Sequence, residues 1–298
     1  VENMKILVTG SNGIIGTEIL LRLKKQENIS LIPLTEQQLN ISISKDVSKV
    51  ITSYKPKLII NCESYDLIDL AQTSPTKAIA INHKGVLNIA EVCNDLHIPL
   101  IHFSTDSIFG AGGMSYRQYK EDDPPNPANV YGQSKYGGEE SVRDNLREHL
   151  IIRISWLFGS YGDNFVRKFF NLTRTRNEIR MVQDQWGRPT YAGDLADVIE
   201  ILVKKIFSEE EPEWGTYHYG GPDVLNRYTY SLEIVEMMKK VMPMKELTII
   251  PITSSEYPLP AKRPSWPVLD CSKIVKTFGI ELKDFRIGLE KVLRNIPA

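Results

Sequence analysis

Cysteine is scarce in this 298-residue sequence: Cys62, Cys93 and Cys271 are scattered and odd in number, with no CxxC pair and no histidine at metal-ligand spacing. That argues against a disulfide framework and a zinc site, and it reads as a reducing compartment. Excess charge is missing too. Lysine and arginine number 36 against 37 aspartate and glutamate, so neither nucleic acid nor an anionic membrane is expected as a partner. Long apolar runs are absent; stretches such as Leu58-Ile59-Ile60 fall far short of a membrane span, and no signal-peptide series is present. The expected location is the cytoplasm, and the expected partner is a small molecule. No internal repeat or low-complexity tract is found. Val1-Glu2-Asn3 ahead of Met4 reads as a cloning remnant, because the first strand pattern begins at Lys5.

What is present is ordinary globular material, 42% apolar and 24% charged, long enough to bury a large core. Short apolar runs at Ile6–Thr9, Ile29–Leu34, Leu58–Asn61, Leu100–Ser104 and Leu150–Ser155 read as strands. Between them Thr17–Lys25, Ala78–Leu96 and Ser134–Leu146 carry apolar residues at helical spacing. Strand and helix in alternation predict an α/β fold, a doubly wound parallel sheet of Rossmann type, since parallel strands need crossover connections. After Ser155 the texture becomes aromatic and rich in Gly and Pro. Residues 1–155 are therefore expected to form a dinucleotide-binding domain and 156–298 mainly a smaller C-terminal substrate-binding lobe. Ala192–Ile206 reads as a further helix on the sheet and Thr216–Tyr219 as a further strand, so 190–220 is expected to return to the first domain.

Two motifs carry chemistry. Gly10-Ser11-Asn12-Gly13-Ile14-Ile15-Gly16 follows the first strand and opens the first helix. Gly10 suits a tight turn, Gly13 lets a pyrophosphate approach the helix N-terminus, and Gly16 lets helix and strand pack closely. A ligand-free glycine turn is the other reading, and the strand before and helix after weigh against it. The second strand ends Leu34-Thr35-Glu36, which carries neither a clean NADH nor a clean NADPH signature, so both cofactors stay open. The second motif is Tyr131-Gly132-Gln133-Ser134-Lys135, where tyrosine and lysine share one face at the start of a helix. The ammonium is expected to lower the phenol's pKa so that Tyr131 can protonate a carbonyl oxygen as hydride arrives at carbon. Lys135 is also suited to hold the nicotinamide ribose. A surface pair on a helix is the bland reading. Tyr116 and Lys120 repeat the spacing inside a glycine-rich loop and read as a chance match. Ser104-Thr105-Asp106 closes the fourth strand at the sheet edge where ligands bind, and Thr105 is suited to orient the carbonyl. By itself that segment reads equally well as a strand-end turn.

With these stretches in place, the sequence resembles the dTDP-4-dehydrorhamnose reductases of the extended short-chain dehydrogenases, from Met4 to about Leu293. The specific segments are Ser104-Thr105-Asp106, Pro125 to Gly132, Ser155-Trp156-Leu157-Phe158-Gly159, Gly162 to Val166, Asp184 to Tyr191 and Ala261-Lys262-Arg263-Pro264. The resemblance implies reduction of the 4-keto group of a dTDP-linked 4-keto-6-deoxyhexose by NADPH or NADH. It implies Thr105, Tyr131 and Lys135 as the catalytic set, with Asp106 and Trp156 touching the sugar. It places Gly13, Ile14, Ile15, Asn40, Ile41, Ser64 and Tyr65 around the cofactor. Asn164 and Arg263 join the substrate set, although Asn164 also fits a helix cap and Arg263 a solvated loop charge. Trp156 without the resemblance reads as core. Glu18 matches a glutamate through which some members bind magnesium at a dimer interface; a surface helix glutamate is the plainer reading. A homodimer is allowed by the resemblance.

The departures are specific. Ser107 stands where the family has tyrosine and Gly110 where it has a second aspartate, so one sugar contact is missing. Glu63 and Asp66 bring two negative charges to the third strand's end, and Asn40 replaces an aspartate near the adenine while keeping an acceptor oxygen. The five histidines share no spacing and are assigned no role. Two other functions stay open: a nucleotide-sugar epimerase with the same loop and Tyr-Lys pair, and a non-catalytic regulatory subunit like that of methionine adenosyltransferase. The second is suggested by Leu269 to Lys273 and Phe285 to Gly288.

Overall fold

The computed structural model describes residues 3–114, 116–208 and 212–296. Its centre is a sheet of six parallel strands: β1 (Met4–Thr9), β2 (Ile29–Pro33), β3 (Leu58–Asn61), β4 (Leu100–Thr105), β5 (His149–Ile154) and β6 (Gly215–Tyr219). Their spatial order is β6-β5-β4-β3-β1-β2. The order reverses direction at β1, and in open α/β sheets that reversal opens a ligand crevice at the strands' carboxyl ends.

Alternation along the strands feeds two separate cores. Ile6 and Val8 face one layer together with Leu58, Ile60, Ile101 and Ile152; Leu7, Ile59 and Ile151 face the other. Helix α1 (Ile14–Leu23) covers the first layer, packed against Ala192–Ile206. Helices α2 (Ser44–Tyr54), α3 (Val86–Leu96) and α4 (Val130–Asn145) cover the second. Burial on both faces explains the Ile- and Leu-rich runs of β3 and β5. A third core, built on Phe158, Phe169, Tyr230, Ile234, Phe285 and Leu289, lies in the C-terminal part of the chain. There Phe165–Thr175 forms α5, Ala192–Ile206 α6, Arg227–Val241 α7 and Phe285–Asn295 α8.

One helix differs from its sequence pattern. The continuous helix expected over 78–96 is broken: Pro75–Ile79 is α-helical, Ala80–Gly85 is a π-helix, and α3 follows. A single inserted residue produces such a bulge, and it barely disturbs hydrophobic periodicity. Gly137 and Gly138 let α4 press against this bulge, for a Cβ on Gly138 would stand 2.2 Å from the Asn82 carbonyl oxygen. No helix among the described residues is long and apolar enough to cross a membrane.

Candidate active site

The glycine loop is shaped by contacts that exclude side chains. Gly10 has φ +57° and a Cβ there would lie 2.7 Å from the Cys62 carbonyl carbon; on Gly16 it would lie 2.4 Å from the Gly10 oxygen. Both positions therefore require glycine. Helix α1 has Gly13 as its N-cap, with no side chain capping it and no acidic residue in its first turn. Its first backward bond runs from Thr17 N to Gly13 O at 3.0 Å, which leaves the N–H groups of Ile14, Ile15 and Gly16 without intrahelical partners. By contrast α4, α5, α7 and α8 carry Asn or Asp side-chain caps. This cradle of bare backbone donors fits a dinucleotide pyrophosphate.

Across the sheet edge, α4 starts hard against the end of β4. Asn129 caps it, accepting from Gly132 N at 2.9 Å, and a Cβ on Gly132 would stand 2.3 Å from the Ser107 carbonyl oxygen. That approach brings Thr105, Asp106, Tyr131 and Lys135 together. Lys135, only 3% exposed, donates from Nζ to the Phe103 carbonyl at 2.7 Å and to Ser64 Oγ at 3.5 Å. Ser64 Oγ donates to Asp66 Oδ1 at 2.7 Å, and Tyr131 Oη donates to the same oxygen at 3.2 Å. Tyrosine and lysine are thus joined through Ser64 and Asp66.

This network corrects the expected effect of Lys135 on Tyr131. Burial, with the Asp66 carboxylate beside the hydroxyl, holds the phenol well above its ordinary value, and a nearby Thr105 hydroxyl opposes this only in part. Burial also lowers the Lys135 pKa, with the Asp66 and Glu139 charges opposing it. The ammonium is anchored to the Phe103 carbonyl, so in this state the phenol's acidity is governed by desolvation and by Asp66.

Comparison with known proteins places the chain. The family model described as the RmlD substrate binding domain matches residues 4–297. The chain belongs to the RmlD substrate binding domain family. It is 34% identical to a dTDP-4-dehydrorhamnose reductase of Aggregatibacter actinomycetemcomitans over 99% of this chain and 98% of that one. Among solved structures it resembles a dTDP-4-dehydrorhamnose reductase of Bacillus anthracis in complex with NADP, at 30% identity and a TM-score of 0.89, covering 97% of this chain and 98% of that one. A Clostridium acetobutylicum dTDP-4-dehydrorhamnose reductase is similar at 31% identity and TM-score 0.88, with the same coverage.

The residues that the RmlD family resemblance implied fall into two groups. Asp106 sits with the catalytic set: its carboxylate accepts from Ser155 Oγ at 2.6 Å, Ser107 Oγ at 3.2 Å and Thr105 Oγ1 at 3.3 Å. Burial outweighs those bonds and pushes its pKa up to about 6. Trp156 is also at hand, held at φ +41° with its indole against the Gly187 backbone. Such a φ is strained for a bulky residue, and the surrounding packing enforces it. Ser64 and Tyr65 are fastened to the π-helix, where Asn82 Oδ1 accepts from Tyr65 N at 2.8 Å.

The remaining implied residues are engaged within the fold itself. Arg263 is engaged by Asp69, Nη1 to Oδ1 and Nη2 to Oδ2 both at 2.8 Å, so it is not a solvated loop charge, and a substrate oxygen would have to compete with that carboxylate. A carboxylate fork satisfies the same donors that a phosphate would take. Asn164 is buried and acts as a cap and loop tie, accepting from Arg167 N and donating to the Gly159 carbonyl. Ile41 is core, its side chain filling the space beside Gly85, and Asn40 Oδ1 already accepts from Ser42 N and Oγ. Glu18 stands near Asp194, Asp197 and Lys291, yet among the described residues no group of three His, Cys, Asp or Glu could hold a metal ion.

Sequence reasoning missed Asn82, Ser155 and Arg227. Asn82 is fully buried and bridges the loop after β3 to Ser134 on α4, with Nδ2 to Ser134 Oγ at 3.0 Å. Asn82 carries no motif, and Ser155, although it opens the segment Ser155 to Gly159, shows its role only in its hydroxyl's bond to Asp106. Arg227, partly buried, lies over the Trp156 ring, and a cation in the first turn of an amphipathic helix ordinarily reads as surface.

Proposed function

We propose that this chain reduces the 4-keto group of a dTDP-linked 4-keto-6-deoxyhexose, as its reductase relatives are named for doing. The observation that carries the reading is the meeting of Thr105, Tyr131 and Lys135 at the carboxyl end of β4, opposite the uncapped N-terminus of α1. A reduced nicotinamide bound to that loop supplies the hydride. Thr105 orients the carbonyl, and Tyr131 Oη gives its proton to the 4-keto oxygen as the C–H bond forms. The phenolate left behind is disfavoured by the Asp66 carboxylate, which drives its reprotonation; Asp66 is exposed to the solvent that returns the proton. Lys135, fixed on the Phe103 carbonyl, holds positive charge beside the reacting groups.

NADH is the preferred reductant on this reading. Glu36, just after β2, makes the adenosine end acidic, and Glu63 near it, whose carboxyl is pushed up to about 7 by burial and by the Glu36 charge, adds a group that can hydrogen-bond a sugar hydroxyl. Lys77 stands 3.7 Å from Glu36. A ribose 2′-hydroxyl suits such carboxylates, whereas a 2′-phosphate would meet like charge. Incubation with NADH or NADPH and a panel of dTDP 4-keto sugars, following reduced-nicotinamide absorbance, tests the whole assignment. Stoichiometric cofactor consumption supports a reductase. Sugar isomerisation without net consumption supports the epimerase, and inertness with a co-purifying synthetase supports the regulatory subunit.

A further inference from the structure

Arg227, the first residue of α7, is a cation whose partners among the described residues are aromatic rings. Its guanidinium carbon lies 3.7 Å from the Trp156 ring centroid and 4.6 Å from that of Phe165. Neither a hydrogen bond from the guanidinium nor an ion pair to it exists among the described residues. Its neighbours behave differently: Arg188 donates to the Leu269, Gly221 and Pro222 carbonyls and to Gln118, and Arg263 is taken by Asp69. One turn along the same face of α7, Tyr230 is 1% exposed and its hydroxyl also has no partner. The buried Tyr230 hydroxyl is a donor left unsatisfied by the fold, and beside it the partly exposed Arg227 guanidinium is held on an aromatic face rather than on a carboxylate, which points to an acceptor that arrives with a ligand.

We propose that Arg227 is a substrate-anchoring residue that, with Tyr230, holds an anionic oxygen group of the nucleotide sugar. The inference rests on the nucleotide-sugar reading of this site. Trp156 fixes where the group would lie, because the guanidinium is stacked on that indole, on the sugar's side of Asp106 as the family resemblance places both residues. Burial lowers the Arg227 pKa to about 10, partly countered by the Asp106 charge, so it remains a cation at neutral pH. The planar fork of arginine suits two oxygens at once, and the diphosphate supplies such a pair; a sugar carboxylate, the other source of that chemistry, is one that a 6-deoxyhexose lacks.

Calorimetric titration of the full chain with dTDP, dTDP-glucose and dTDP-glucuronate separates the two sources. If the diphosphate is the ligand, Arg227→Gln weakens all three by roughly 10- to 100-fold, the worth of hydrogen bonds to a charged group. If a sugar carboxylate is the ligand, Arg227→Gln leaves dTDP within about twofold and removes a preference for dTDP-glucuronate over dTDP-glucose. Arg227→Lys, which keeps the charge and loses the fork, should recover part of the affinity in either case and serves if the glutamine variant does not fold. Unchanged affinities for both variants overturn the inference and leave the reductase reading standing. A parent protein that binds none of the three probes overturns both.

Discussion

Tyr131→Phe removes one oxygen atom, and its consequences can be worked from the contacts. The lost hydroxyl donates to Asp66 Oδ1, but that oxygen keeps the Ser64 Oγ bond at 2.7 Å and Asp66 is open to water. The folding cost is therefore at most that of one hydrogen bond to a charged group, about 1.5 to 3 kcal/mol. The phenyl ring stays in its buried place beside Ala71 and Ala78. Catalysis should suffer far more, because a positioned general acid contributes roughly 100- to 10,000-fold, equivalent to about 2.7 to 5.5 kcal/mol of barrier. The assay is single-turnover oxidation of reduced nicotinamide with saturating 4-keto sugar, alongside cofactor binding and a melting curve. Cofactor affinity should stay within a few-fold. Tyr116→Phe is the internal control: that ring is 71% exposed and its hydroxyl points to Met114 Sδ at 4.0 Å, so turnover should not change. Turnover of Tyr131→Phe within a few-fold of the parent would refute Tyr131 as proton donor, and a loss in Tyr116→Phe would show that the wrong Tyr-x-x-x-Lys match was chosen.

Glu139 is fully buried and forked by Arg153, Nε to Oε1 at 2.9 Å and Nη2 to Oε2 at 2.7 Å; Glu139→Gln should lower unfolding free energy by about 3 to 5 kcal/mol in a denaturant titration, since it strands a buried guanidinium. Glu63, with its carboxyl raised by burial and by the Glu36 and Asp66 charges, holds a proton that the unfolded chain releases. Its contribution to stability is present below pH 4.5 and lost as pH rises to about 7, so Glu63→Gln should flatten the pH dependence of the denaturation midpoint across that window. Ser107, whose Oγ donates to Asp106 at 3.2 Å, replaces the family's tyrosine; Ser107→Tyr should tighten dTDP-4-dehydrorhamnose by about two- to twelvefold if a sugar hydrogen bond is restored. Loss of turnover instead would mark a pocket shaped for another 4-keto sugar, and no change in either quantity would mean that position 107 does not face the substrate. On the cofactor side, kcat/KM with NADH should exceed that with NADPH, and Glu36→Arg should reverse the order.

The sequence by itself determined the parts of this protein that depend on neighbours in the chain. Strand runs of Ile, Leu and Val buried on both faces, the glycines at 10, 13 and 16, and the i, i+4 placement of Tyr131 and Lys135 are local patterns with local causes. They were enough for the doubly wound sheet and for the site's edge. The tertiary structure decided everything that depended on distant partners. Arg263 meets Asp69 across 194 residues, Tyr131 meets Asp66 across 65, and Lys135 reaches Ser64 across 71; no periodicity links such positions. The same holds for the phenol's acidity, since desolvation and the charge of Asp66 exist only once the chain is packed. The π-helix at Ala80–Gly85 shifts register by one residue, too small a change to show in a hydrophobic pattern, yet it aims Asn82 at the loop bearing Ser64 and Tyr65. Whether a charged side chain ends in water, in an ion pair or over aromatic rings, as Arg227 does, is set by the field of the folded molecule and not by its residue type.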